Sequence, residues 1–171
     1  MATLTKDFDY KKIGSEIVIE RYIGTDSIVE VPEEIDNLPV TTIGKGAFEG
    51  YVGLKAIYLD GVKVIGAYAF AGCVGLETVV FSNDLKIIHA HAFDDCMNLK
   101  HVDLSQCSAL KAICDGAFIC CKSLERICLP ARLELIGNDA FYGCIGLSCA
   151  CAPKTICASL KEYLPEGCKI N

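Results

Sequence analysis

Cysteine is the residue type in this sequence with the widest range of chemistry, and it is abundant. The 171 residues include twelve cysteines but only three histidines. Four of the cysteines fall in the stretch CDGAFICCKSLERICLP, residues 114–130. Thiols at such spacing can form disulfides, bind zinc together with histidine, or act as nucleophiles when a neighbouring base removes the thiol proton. Which of these applies depends on how the folded chain positions each cysteine.

The cysteines belong to a repeated unit. Five hexapeptides align without gaps, beginning at residues 43, 65, 88, 113 and 136: IGKGAF, IGAYAF, IHAHAF, ICDGAF and IGNDAF. Each is followed by a tail of the form L-x-x-I-x-L, whose last apolar residues alternate as in a strand with one buried face. The spacing after each Phe is typical of a short helical turn. One unit cannot bury its apolar face alone, so the copies must stack with parallel strands about 4.8 Å apart.

This pattern resembles the BspA-like class of leucine-rich repeats, in which L-x-x-I-x-L-P is followed by I-x-x-I-G-x-x-A-F-x-G-C. The resemblance covers roughly residues 26–153 and departs from the pattern at Tyr51, His89 and Cys114 and in the insertion QCSAL. We therefore predict a right-handed leucine-rich-repeat solenoid with one parallel β-sheet. Short helical or irregular turns are expected on its convex side.

The ends of the chain are predicted to close the stack, as terminal repeats generally must. We expect a single domain over residues 1–171, with an N-terminal β-hairpin cap at 1–25, repeats at 26–153 and a C-terminal helical cap at 154–171. The helical cap is predicted from one apolar stripe at helical spacing, formed by Ile156, Cys157, Leu160, Tyr163 and Leu164.

The aligned repeats place four cysteines in one inward column, in which the first unit has Tyr51. Free cysteine is readily buried and acts as a small apolar residue, so we expect a ladder of reduced thiols rather than disulfides. Cys114 and Cys120 take places that other units give to glycine. A column of phenylalanines is expected to stack beneath the convex side. The members of the thiol ladder are Cys73, Cys96, Cys121 and Cys144, and those of the phenylalanine column are Phe48, Phe70, Phe93, Phe118 and Phe141.

The outward side chains of the repeat strands form what we call the concave face, where leucine-rich repeats usually bind their partners. Two columns of this face supply the candidate binding residues: Tyr58, Val80, His101, Asp103, Arg126, Cys128, Cys149 and Cys151. A third column alternates in charge through Lys55, Glu77, Lys100 and Glu125. Because opposite charges on adjacent strands attract, we interpret this column as solvated cross-strand pairing rather than as a ligand site.

The same face suggests a second interpretation. Cys128 beside His101 and Asp103 has the ingredients of a thiol nucleophile, and three thiols with an imidazole could bind zinc. Against both, outward thiols about 4.8 Å apart on parallel strands fit tetrahedral coordination poorly, and no oxyanion donor is evident. His89 and His91 near Cys114 are another candidate metal group, which we interpret as substituted turn residues. We predict no catalytic residues, metal or cofactor.

Composition narrows the classes of partner. The net charge is −6 and no run of Lys or Arg occurs, which argues against binding to nucleic acid or to anionic membranes. No apolar run approaches the roughly 18 residues of a membrane span. We therefore predict a non-enzymatic protein-interaction module with a protein partner, for which the family resemblance implies adhesion or host interaction. A metal- or thiol-dependent protein and a structural or self-assembling module are the alternatives.

Two observations point to different locations. The N-terminal stretch has no apolar signal region, and most of the twelve cysteines are expected to be unpaired, which favours a reducing cytoplasm. The family resemblance instead favours the cell surface or secretion. The sequence leaves both locations open.

Overall fold

The computed structural model describes residues 5–152 and 160–171, which form a solenoid of stacked coils. A short 3-10 helix, Thr5–Asp7, precedes the first strand. The strands, in chain order, are β1 (Phe8–Ile13), β2 (Glu16–Tyr22), β3 (Ile28–Glu30), β4 (Glu34–Ile35), β5 (Leu38–Ile43), β6 (Ala56–Leu59), β7 (Val64–Ile65), β8 (Thr78–Phe81), β9 (Ile87–Ile88), β10 (His101–Asp103), β11 (Ala112–Ile113), β12 (Arg126–Cys128), β13 (Leu135–Ile136), β14 (Cys149–Cys151) and β15 (Lys169–Ile170).

The repeat strands pair in parallel and in register, as predicted from the aligned tails. They form two ladders, β3-β6-β8 and β10-β12-β14-β15. Along each strand the middle residue is buried and its neighbours face outward; Ile57 and Ile127, for example, are fully buried. This alternation follows from the two-residue period of a strand. No ladder joins β8 to β10 in the described part of the chain, so the hydrogen bonding of the concave face has a division at that point, although the two strands remain neighbours.

The prediction of a single sheet is wrong, because a second sheet runs along the other side of the coils. Its order is β1-β2-β5-β7-β9-β11-β13, and β4 pairs with β5. The repeated contribution is a two-residue strand ending at the Ile that opens each hexapeptide, with Ile43 opposite Ile65 and Ile65 opposite Ile88. Two residues are too few to display a strand period, so the sequence pattern did not reveal these strands.

The N-terminal hairpin is present as predicted. Strands β1 and β2 pair antiparallel, and β2 then pairs in parallel with β5. Phe8, Ile17 and Ile19 of the hairpin are buried against the first coil. The hairpin therefore covers apolar surface that the first coil would otherwise expose, which is what a terminal cap must do.

The segments after each hexapeptide isoleucine are regular but not helical. In the first coil Ala47, Glu49 and Tyr51 each donate a backbone hydrogen bond to the carbonyl three residues earlier. The alternate amides at Gly46 and Phe48, with that of Gly50, donate instead to carbonyls of the next coil. Half of the N–H groups therefore stabilise the coil and half join it to its neighbour. The segments that follow each hexapeptide isoleucine, from residues 44–51 in the first coil to 137–144 in the last, are thus joined into one continuous surface. We call this surface the turn ribbon.

The turn ribbon requires left-handed backbone at two positions in every coil. All ten of these residues have φ between 54° and 75°. The first position holds Gly46, Tyr68, His91, Gly116 and Asp139, and the second holds Gly50, Gly72, Asp95, Cys120 and Gly143. Residues other than glycine strain the backbone in this conformation. Cys120 is therefore a strained substitution at a glycine position, whereas Cys114 has no positive φ.

Two cysteine-to-glycine substitutions test this distinction. Cys120→Gly should raise the free energy of unfolding by about 0.5–1 kcal/mol, because relief of left-handed strain exceeds the added entropy of the unfolded chain. Cys114→Gly, the matched control, should lower it by about 0.5–1 kcal/mol, because only the entropy change applies there. Urea unfolding of both variants measures the difference. Destabilisation of similar size in the two would show that Cys120 is not strained.

The core contains a phenylalanine column that runs through all five hexapeptide coils and a thiol ladder that runs through the last four. Consecutive phenylalanine rings, from Phe48 to Phe141, stack with centroids 5.0–5.8 Å apart, which confirms the predicted aromatic column. Tyr22 of the hairpin extends the stack, with its ring 5.2 Å from that of Phe48. Stacked pairs of this kind contribute about 0.5–1.5 kcal/mol beyond the burial of their area.

The predicted thiol ladder lies beside the phenylalanines, and all four of its members are fully buried. Each thiol donates a hydrogen bond to the backbone carbonyl of a phenylalanine in the preceding coil, as Cys73 Sγ does to Phe48 O at 3.0 Å. The same contact recurs at Cys96, Cys121 and Cys144, at 3.0–3.2 Å. The thiol therefore fills the space and gives the phenylalanine carbonyl a second hydrogen bond, beside the one from the backbone N–H three residues later.

The described residues include only part of the predicted C-terminal helical cap, in which Leu160 is helical. Ile156 and Cys157 of the expected helical stripe lie outside the described residues, while Leu160 is fully buried and Tyr163 and Leu164 pack against the core. The residues after Leu160 form turns, and the chain then enters β15, which pairs in parallel with β14. Pro165 ends any helix there, because it cannot continue the hydrogen-bond pattern. The right-handed sense of the solenoid stays a prediction.

Candidate protein-binding face

The strand registers assemble the predicted columns of the concave face. Tyr58 lies opposite Val80, Asp103 opposite Cys128, and Cys128 opposite Cys151. In the neighbouring column the structure aligns His101 with Arg126, and Arg126 with Cys149. The predicted residues therefore fall into two groups, one on each side of the division between β8 and β10.

The N-terminal group is small and apolar. The side chains of Tyr58 and Val80 are 37% and 39% exposed, and they lie side by side on paired strands. A tyrosine in this position offers rigid contact area at a low entropy cost, with a hydroxyl that can still bond to water or to a partner. The opposite face of these strands is buried and stabilises the fold. The exposed side chains of Tyr58 and Val80 contribute little to it.

The C-terminal group is polar. His101, Asp103 and Arg126 are all exposed. Asp103 Oδ1 accepts a hydrogen bond from the backbone N–H of Ser105 at 2.9 Å, which fixes the carboxylate at the start of the following turn. Arg126 presents a planar set of donors that suits carboxylates and backbone carbonyls of a partner.

The alternating charges of the entrance column do not form ion pairs in the described residues. Lys55, Glu77, Lys100 and Glu125 are exposed, and the ion pairs of the described chain lie elsewhere. Their backbones are nevertheless joined, since Glu77 N donates to Lys55 O and Glu125 N donates to Lys100 O, each at 2.8 Å. These side chains remain available to bind charged groups of a partner.

The Cys128 thiol on the concave face is poorly suited to nucleophilic chemistry. Burial, the adjacent Cys151 thiol and the Asp103 carboxylate together raise the pKa of the Cys128 thiol to about 12. A nucleophilic cysteine needs the opposite, a lowered pKa that makes thiolate available at neutral pH. On the neighbouring strand, Cys149 Sγ accepts a hydrogen bond from Asn171 Nδ2 at 3.2 Å.

The metal interpretation also lacks geometric support. Within residues 5–152 and 160–171 no three His, Cys, Asp or Glu side chains are grouped so that they could hold an ion. His91 has a structural role instead: its ring stacks on Tyr68 with centroids 5.0 Å apart, and Nδ1 lies 3.1 Å from Asp94 Oδ2. Burial, with Asp115 nearby, raises the pKa of the Cys114 thiol.

Two features of the face, the burial of Cys107 and the strand β15, were not predicted from the sequence. The insertion QCSAL forms an extra turn whose Cys107 is buried, and burial together with Asp103 raises the pKa of its thiol to about 11. Strand β15 extends the face beyond Cys149 and brings Lys169 alongside that residue. The alternation of Lys169 and Ile170 after a Pro–x–Gly turn was the available signal, but the stretch is too short to indicate a strand.

No helix in the described residues is long and apolar enough to cross a bilayer.

Comparisons with known proteins agree with this architecture. A family model described as a BspA type leucine rich repeat region matches residues 40–171 in six copies. No curated protein matches the chain.

Several solved structures are similar to the chain. A leucine-rich repeat protein of T. pallidum is 33% identical, with a TM-score of 0.86 over 90% of this chain and 72% of that one. A leucine-rich repeat protein of Bacteroides ovatus is 27% identical, with a TM-score of 0.72 over 85% of this chain and 36% of that one. The pneumococcal vaccine antigen PcpA, 17% identical, has the same fold, with a TM-score of 0.71 over 96% of this chain and 47% of that one. The repeat, the stacked coils and these matches together show that this chain belongs to the BspA-type leucine-rich repeat family.

Proposed function

We propose that this chain is a protein-binding module whose partner docks on the concave face. Leucine-rich repeat proteins generally mediate protein interactions, and the face offers the residue types that dominate binding energy. The observation that carries the proposal is the pairing of exposed Tyr58 and Val80 on strands whose opposite face is fully buried. Exposed side chains at these positions can change during evolution to suit a partner without disturbing the core.

The two groups on the face suggest a partner with mixed chemistry. Tyr58 and Val80 form an apolar anchor, and Arg126 with His101 offers donors on the far side of the division. Hot spots of protein interfaces are enriched in tyrosine and arginine, surrounded by residues of weaker effect. The expected partner therefore presents an apolar side chain next to an acidic or carbonyl-rich patch. Adhesion or host interaction is the role we assign to this binding, on the strength of family membership.

Photo-crosslinking tests where the partner docks. A photoreactive phenylalanine analogue replaces Val80 on the concave face or, as the control, Tyr68 on the turn ribbon, which is exposed to a similar extent at 36%. We expect the Val80 probe to capture one protein from the native source in high yield and the Tyr68 probe to capture little of it. Equal capture by both probes, or capture only by the Tyr68 probe, would place the docking surface elsewhere. Capture of this chain itself through Val80 would favour the self-assembling alternative.

A further inference from the structure

The last coil of the turn ribbon ends in backbone donors that have no acceptor within residues 5–152 and 160–171. At each of the four interfaces between hexapeptide coils, three alternate amides donate to carbonyls of the next coil, giving twelve hydrogen bonds of 2.7–3.2 Å. At the last interface Gly116, Phe118 and Cys120 donate in this way. The equivalent amides of the final coil, at Asp139, Phe141 and Gly143, donate to no acceptor among the described residues.

A recess lies in front of these three amides. It has a volume of about 450 Å³, and its walls include Asp139, Tyr142, Ile145, Glu162 and Tyr163. Tyr142 and Ile145 are 67% and 80% exposed, which is unusual for side chains of their size. The recess is therefore a continuation of the interface that joins each coil to the next, open where a further coil would lie.

The C-terminal segment forms one wall of the recess, through Glu162 and Tyr163. The same segment covers the core through Leu160 and adds β15 to the concave sheet as a single further strand. A peptide strand added at the ribbon edge would lie about 4.8 Å from it, the spacing of adjacent strands.

We propose that this recess binds an extended, basic peptide segment of a partner protein. The main chain of the peptide supplies carbonyls at alternate residues to the amides of Asp139, Phe141 and Gly143, in the way that strand addition to a sheet edge works. The carboxylates of Asp139 and Glu162 line the recess and complement a Lys or Arg of the peptide. Tyr142 and Ile145 contact an apolar neighbour of that basic residue. The site is separate from the concave face and does not depend on it.

A second copy of the chain fits less well. The complementary carbonyl edge lies at the other end of the ribbon, in the first coil. There the carbonyl of Ala47 already accepts a hydrogen bond from Tyr22 N at 2.9 Å, because the N-terminal hairpin lies in front of that edge. The carbonyl ladder of another copy is therefore obstructed by its own cap.

Amide hydrogen exchange followed by NMR tests the open edge in the free protein. The amides of Asp139, Phe141 and Gly143 should exchange at least about tenfold faster than the matched amides of Gly116 and Phe118, which have acceptors. Equal protection in the two sets would overturn the proposal, because the edge would then already be occupied. Protection that is lost on dilution would identify a second copy as the occupant, and protection independent of concentration would identify residues 153–159.

A peptide titration tests binding. The probe is a capped peptide with the sequence IGKGAFEG, residues 43–50 of this chain, which carries the carbonyl spacing of the ribbon and one lysine. It should shift the three amide resonances and slow their exchange, and the charge-reversed peptide IGEGAFEG should bind at least about threefold more weakly. Ile145→Ala should weaken binding by a similar factor. Val52→Ala, the equivalent residue at the opposite end of the ribbon and 63% exposed, should leave it unchanged. The proposal fails if the peptide perturbs none of the three amides, or if Val52→Ala weakens binding as much as Ile145→Ala does.

Discussion

Phe93→Ala is expected to lower the free energy of unfolding by about 3–5 kcal/mol, the usual cost of removing a buried phenylalanine. Phe93 is fully buried at the centre of the aromatic column. Its ring stacks on Phe70 and on Phe118 with centroids 5.0 Å apart on both sides, and Phe81 approaches its edge at 5.9 Å. Alanine would leave a cavity enclosed by these three rings. Each ring is fixed by the packing of its own coil, so the rings cannot move far enough to fill the cavity.

Chemical denaturation of Phe93→Ala and of Phe141→Ala measures this effect with an internal comparison. Phe141 stacks on one ring, that of Phe118 at 5.8 Å, and lies beside the C-terminal cap. The cap can relax into the space that Phe141 leaves, so its loss should be smaller than that of Phe93 by about 1 kcal/mol or more. A loss below about 1 kcal/mol at Phe93 would mean that the aromatic column does not stabilise the solenoid.

Alkaline pH should destabilise the protein steeply through its buried thiols. Burial raises the pKa of the Cys73 thiol from the ordinary value of 9.0 to about 12. Between these values the unfolded chain loses the thiol proton while the folded chain keeps it, so the free energy of unfolding falls as pH rises. The three units of difference (12 − 9) correspond to about 4 kcal/mol from this one residue once pH reaches 12. The pKa values of the Cys121 and Cys144 thiols are raised as well, so further losses add to it.

Urea unfolding at a series of pH values, in the presence of reductant, measures this loss. The stability from Cys73 should be intact below about pH 9 and lost as pH approaches 12. Cys73→Ala is the matched control: its starting stability differs, but its stability should fall less steeply over the same range, by about 1.4 kcal/mol per pH unit. Identical slopes for the two proteins would show that the thiol of Cys73 is not shielded from solvent in the folded state.

The parts of the fold that repeat with the sequence could be predicted from it. Aligned hexapeptides fix the register of the coils, and so the positions of Cys73, Phe93 and Tyr58 in their columns followed directly. The alternation of apolar residues in each tail identified the buried side of each strand. A repeat makes such predictions robust, because every coil must place the same residue in the same environment.

Other parts depend on contacts between coils that no single unit displays. The strands that the repeat adds to the second sheet are two residues long, too short to show a period. The turn ribbon depends on left-handed backbone at positions occupied by residues as different as Gly46, Tyr68, His91 and Cys120. No residue type marks such a position throughout the chain, so the sequence suggested only short helical or irregular turns.

The chemistry of the concave face likewise depended on packing. The sequence placed Cys128 beside His101 and Asp103, and these residue types allowed Cys128 to be interpreted as a nucleophile. The structure buries part of Cys128 and aligns it with Cys151, and these neighbours raise the pKa of its thiol. The sequence gives no measure of that desolvation.

Whether the concave face binds a protein partner can be measured from the affinity of that partner for four alanine variants. Tyr58→Ala and Arg126→Ala on the concave face are matched by Tyr68→Ala and Lys86→Ala on other surfaces. Lys63 is avoided as a control because it pairs with Glu16 at 3.1 Å. All four proteins should unfold within a few degrees of the wild type, since none of these side chains is buried.

Titration calorimetry with the partner that photo-crosslinking identifies gives the dissociation constants. Tyr58→Ala and Arg126→Ala are each expected to weaken binding by about 1–2 kcal/mol, roughly tenfold in Kd, while Tyr68→Ala and Lys86→Ala should leave it unchanged. Unchanged affinity for both concave-face variants, together with a loss at Tyr68 or Lys86, would contradict docking on the concave face.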